Sequence, residues 1–130
     1  MMKKKKKLCF LKRLFLGVQF PYYCRLEEDS NADFRGARWQ TREGDALQIV
    51  HLPTKDDCLA VFVYSVSLNR VLGRLTKYSA QKMIKAFGKG FCTDGEIYVW
   101  LEKGDDCRIE LLIFNSRSFM DGNDFSFLHE

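Results

Sequence analysis

The chain is short of the residues that build metal centres. It holds only two histidines and five cysteines. Cys9, Cys24, Cys58, Cys92 and Cys107 are scattered, none forms a C-x-x-C pair, and only His51 and His129 could add imidazole. Structural zinc needs paired ligands at short spacing, so no metal or other cofactor is expected. The odd, dispersed thiols give no disulfide framework, and the expected setting is reducing and cytoplasmic. Cys58 and Cys107 lie in or beside apolar strands and read as small hydrophobes.

Catalytic signatures are lacking as well. The sequence has no phosphate-cradling Gly-rich loop, no H-x-x-x-H and no Ser-His-acid set. Gly88-Lys89-Gly90 ends a helix rather than opening one. Asp56-Asp57 and Asp105-Asp106 fall in predicted turns, where Asp serves local hydrogen bonds. The chain is therefore expected not to be an enzyme. No stretch approaches the ~20 apolar residues of a membrane span. Lys12 and Arg13 interrupt the apolar run near the start, so a secretory signal is not expected either.

Acidic residues are missing from one place only. Met1 to Arg13 carries seven basic residues and no acid. Setting those aside leaves 14 basic residues against 17 acidic ones, so the formal +4 of the chain hides a body of −3. Any affinity for nucleic acid must then come from a local patch or from the basic tail. The tail reads as a solubilising extension or as a weak electrostatic arm.

What is present is a core. Apolar residues make up 46% of the chain and Phe alone contributes 11. A chain of 130 residues reads as one domain, here with a basic tail over 1–13, a body over 14–115 and a second tail over 116–130. Leu14 to Phe20 is expected to be the first strand. Ala46 to Val50, Leu59 to Tyr64 and the stretch around Val71, Leu72 and Leu75 read as strands. The period then changes. Ala80, Met83, Ile84 and Phe87 recur at helical spacing, Thr76 is a suitable N-cap and Gly88 a suitable C′ residue, which predicts a helix over 77–87. Glu96 to Leu101 and Arg108 to Phe114 predict a hairpin with two rather apolar faces, calling for cover on the outside. Arg25 to Thr41 is expected to be irregular, anchored by Trp39. The fold class is mostly β with one clear helix, a small OB-like β-barrel of about six strands.

Gly44-Asp45, Leu47, Val50, Asp57, Ala60-Val61, Val63, Leu72-Gly73, Leu75, Ala80 and Gly90 occur in an order and spacing that resembles the HIRAN domain. Phe15 to Phe20 resembles that family's first strand, and 95–101 with 108–114 its last two. The likeness spans about residues 14–115. The chain departs from the family at Leu59 and Thr54, where Asn is usual. The resemblance implies a nucleic-acid-binding module, with single-stranded DNA or DNA 3′ ends as ligand, a role in DNA repair or replication, and a helicase-type ATPase as partner. It places Tyr22 and Tyr23 where rings stack on terminal bases, Thr54 and Asp57 on the pocket lining, and Arg74 and Lys77 on the phosphates. Each residue also has a plainer reading. The tyrosines can close a barrel end, Asp57 can cap its own loop, and Arg74 and Lys77 can be ordinary surface charges. The rival for the whole chain is a protein-interaction or structural barrel that kept the fold and lost the ligand.

Overall fold

The computed structural model describes residues 18–117, with side chains as far as Asn115. The basic tail, positions 14–17 of the expected first strand and the segment from 118 onward lie outside the described residues. Strands β1 (Tyr22–Arg25), β2 (Ala46–His51), β3 (Val61–Ser65), β4 (Arg70–Arg74), β5 (Cys92–Lys103) and β6 (Asp106–Arg117) form one antiparallel sheet in the order β1-β6-β5-β2-β3-β4. The sheet curls into a half-barrel. Its two edge strands meet through a single bridge, Leu26 to Leu75, with the Glu27 N–H donating to the Arg74 carbonyl at 2.8 Å.

Period-two alternation builds the inner face. Leu47 and Ile49 from β2, Val61 and Val63 from β3, Ile97 from β5, and Ile109, Leu111 and Ile113 from β6 are all buried in one cluster. Bulges in β5 beside Gly95 and Ile97 bend the long hairpin. Gly95 is required there, because a Cβ would sit 2.7 Å from the Leu112 carbonyl oxygen. A smaller cluster of Val50, Leu52 and Tyr64, with Phe62, Val71 and Cys92 against it, lies across β2, β3, β4 and β5 on the other face.

Helix α2 (Lys77–Phe87) has the expected bounds. Thr76 Oγ1 accepts the Ser79 N–H at 3.3 Å, and Gly88 follows at φ 93°, a region that a Cβ disfavours. Its stripe of Ala80, Met83, Ile84 and Phe87 packs into the inner core.

Three expectations need correcting. The structure has two helices, not one. Within the supposedly irregular 25–41 segment lies α1 (Ala32–Arg38), capped by Asn31 Oδ1, which accepts the Phe34 N–H at 3.0 Å. It buries Ala37 and Arg38 rather than an apolar stripe, so it leaves no helical period to read. The first observed strand begins after Pro21, not before it, and Val18 to Phe20 are outside any strand. Pairing with β6, at Tyr22–Ile113 through Arg25–Glu110, sets its position. The outer face of the hairpin is not covered throughout: Tyr98 is 55% and Leu101 52% exposed. Trp39 does anchor its segment, donating from Nε1 to the Asp105 carbonyl at 3.2 Å and lying edge-on to Trp100.

Candidate nucleic-acid interface

The residues singled out in sequence divide between two places. Tyr22 and Tyr23 are neighbours on β1 and therefore point to opposite faces. Tyr22 turns inward, half-buried, and its hydroxyl lies 3.1 Å from Ser79 Oγ on α2. Lys82, one turn further on, places its ammonium 5.9 Å from the Tyr22 ring and 4.5 Å from the Tyr78 ring. Tyr23 turns outward, 48% exposed, edge-on to Tyr98 at 5.8 Å. An open cleft of about 340 Å³ lies between β1 and the start of α2, lined by Tyr22, Tyr23, Cys24, Arg25, Thr76, Ser79, Arg108 and Glu110.

The charges of this cleft are coupled. Glu110 accepts from the Tyr23 hydroxyl, which raises the Tyr23 pKa and lowers that of Glu110. Arg108 Nη2 donates to Glu110 Oε1 at 3.0 Å and adds to the lowering. Burial pushes the Cys24 thiol up to about 12, so it is an inert wall rather than a nucleophile.

Thr54, Asp57 and Arg74 form the second group. The Asp57 N–H donates to Thr54 Oγ1 and the Thr54 N–H to the Asp57 carbonyl, both at 2.9 Å. Asp57 Oδ1 accepts the Leu59 N–H at 2.9 Å, and its Oδ2 accepts from Arg74 Nη1 at 3.0 Å. Arg74 also lies over the Phe62 ring at 5.3 Å. Asp57 thus caps its own loop, and Arg74 pins that loop to β4. Lys77 is exposed in the first turn of α2 and belongs to neither group.

Sequence reasoning missed Tyr98, Arg25 and Arg108, and read Lys82 only as part of the solvated basic face of the helix. Tyr98 was visible as part of an alternation, but its outward position depends on the bulge beside Ile97. Arg108 reaches the cleft only because β6 lies between β1 and β5.

A further cleft, of about 260 Å³, lies at the other end of β1. Arg38, with a side chain only 4% exposed, sits at its base. It donates to both oxygens of Asp106 (3.3 and 3.0 Å), to Asp29 Oδ2 (3.2 Å) and to the Leu72 carbonyl (2.9 Å). Burial works against the Arg38 charge, but Asp106 and Asp29 outweigh it and the net shift is upward. Asp106 also shifts against its burial: Arg38 and the Cys107 N–H hold its carboxyl below the ordinary value. Burial, then the Asp106 charge, push Cys107 up to about 11.

Among the described residues no group of His, Cys, Asp and Glu could hold a metal ion, and no helix is long and apolar enough to cross a membrane. Comparison with family models, with curated proteins and with solved structures finds no match.

Proposed function

We propose that this chain is a nucleic-acid-binding module that takes single-stranded DNA, including free 3′ ends, in the cleft between β1 and α2. In this reading it serves DNA repair or replication in the cytoplasm, does no catalysis of its own, and works with a helicase-type ATPase as the motor. The proposal joins the HIRAN resemblance to one carrying observation: two tyrosines meet Arg25 and Arg108 in an open cleft that ends at the positive pole of α2. Ring faces suit bases, at about 1–3 kcal/mol per stacked base. Guanidinium groups suit phosphate. Glu110 is the one acid in the cleft lining, and both Tyr23 and Arg108 hold it.

Fluorescence anisotropy with labelled single strands ending in 3′-hydroxyl or 3′-phosphate tests this. Binding should weaken steeply with salt. Tyr23→Ala should lower affinity by about tenfold, the loss of one stacking contact. Feeble binding that Tyr23→Ala and Arg108→Ala leave unchanged, but that deletion of 1–7 abolishes, would assign all affinity to the basic tail and sink the cleft.

A protein-interaction barrel is the second reading. One observation favours it: Thr54, Asp57 and Arg74 spend hydrogen bonds on one another. Equal, salt-insensitive indifference to every strand would select it.

A further inference from the structure

We propose that the outer face of β1, β6 and β5 is a self-association surface that packs against the same face of a second copy of this chain. Among the described residues six large hydrophobic side chains are exposed, and Tyr23, Tyr98 and Leu101, half of them, lie on this face. Such side chains are unremarkable when scattered and informative when they share one surface. The strand register and the Tyr23–Tyr98 ring contact show that they do. Leu101 lies opposite Arg108, Val99 opposite Glu110, Glu96 opposite Leu112, and Leu112 opposite Tyr23. Val99 and Leu112 are half-buried and fill the space between the exposed groups.

The charges on the face argue for its occupant. Along the hairpin Arg108 lies toward one end, Arg25 of β1 stands opposite Glu110, and Glu96 lies toward the other end. Glu110 sits between them and is already held by Arg108. Beyond the residues that line the α2 cleft, the face offers Tyr98, Val99, Leu101, Leu112 and the acid Glu96, and so gives a polyanion no cation to pair with. A second copy suits both the apolar side chains and the acid. A half-turn about an axis in the face, perpendicular to the strands, sets each copy's Arg108 end over the other's Glu96 end, with the apolar side chains between. That is an isologous contact, in which the same residues serve both sides, and its geometry is ordinary sheet-on-sheet packing. Few apolar side chains share the face, so association is weak and shows at high protein concentration.

Sedimentation equilibrium of the full chain from about 1 to 300 µM reads the result directly. The expected mass rises from monomer to dimer across that range. Leu101→Glu and Tyr98→Glu each weaken the dimer at least about tenfold, with thermal melts close to the parent's because both positions are exposed. Arg108→Glu and Glu96→Arg each weaken it, and the two together restore it, which a non-specific apolar contact would not do. A monomeric mass at every concentration overturns the proposal. So does a dimer that both glutamate variants leave intact. If the parent stays monomeric and Tyr98→Ala lowers single-strand affinity, the face belongs to nucleic acid instead.

Discussion

The two clefts at either end of β1 look alike in composition and differ in what their cations face. Arg25 and Arg108 line both. The cleft beside α1 adds Arg35, Arg38 and Lys103, and matches them with Glu27, Glu28, Asp29, Asp105 and Asp106. The cleft beside α2 sets its two arginines against Glu110 alone. In the first, the deepest cation is also the best satisfied: Arg38 makes four hydrogen bonds to two carboxylates and a carbonyl. A cleft full of arginine is therefore no sign of an anion site until the carboxylates are counted. The α1 cleft is a joint, tying a helix, a loop and the start of β6 together. The α2 cleft keeps cationic and aromatic surface in reserve.

Removing the joint should have the largest effect. Arg38→Leu leaves Asp29 and Asp106 without their partner in a partly buried place, which costs about 3 kcal/mol, read as a lowered urea midpoint. Single-strand affinity of the folded fraction should not change. If affinity falls in step with stability, the two clefts are not separate and the comparison fails. Acid sensitivity sharpens it next. The folded-state pKa of Asp106 lies below its ordinary value of 3.8. Its contribution is thus complete above that value and is lost as pH falls through the folded pKa. Asp106→Asn should be less stable than the parent at neutral pH, with the two acid-unfolding curves converging at the low end. Curves that stay parallel would remove the ion pair from the account. The smallest effect is expected at Arg74→Ala. Its ion pair with Asp57 is part-exposed, so screening limits the loss to about 1 kcal/mol even with the Phe62 contact included. An equally small change in DNA affinity would confirm that the second group is structural, whereas a tenfold loss would return Arg74 to the binding site.

Much of the fold was legible because pattern and packing agree. The α2 stripe, its Thr76 cap and Gly88 marked that helix at both ends, apolar β-rich runs located β2 and β3, and alternation located the hairpin. The stretch around α1 was illegible for a physical reason. Its burial rests on Arg38, and a buried arginine can be foreseen only by knowing that Asp29 and Asp106, far apart in sequence, converge on it. The strand at Tyr22–Arg25 went unread, and Val18 to Phe20 were read as strand where there is none, for a similar reason. Four residues carry too short a pattern to read in sequence, and it is the long β6 that pairs with them. The candidate site was half legible. Tyr22 and Tyr23 were visible as aromatics at an element boundary, but their cationic neighbours come from β6 and α2. Thr54 and Asp57 were read together and Arg74 was read with Lys77; the structure joins Arg74 to Asp57 instead, and the self-capping reading of Asp57 is the geometry observed.

The seam between Leu26 and Leu75 has one more consequence. A hoop closed at one seam has a circumference that the seam helps to decide. Arg25 and Thr76, the residues next to the seam on either strand, are also walls of the α2 cleft. The gap between tyrosines and helix is therefore gauged by the two leucines together with the Tyr22–Ser79 contact that crosses it.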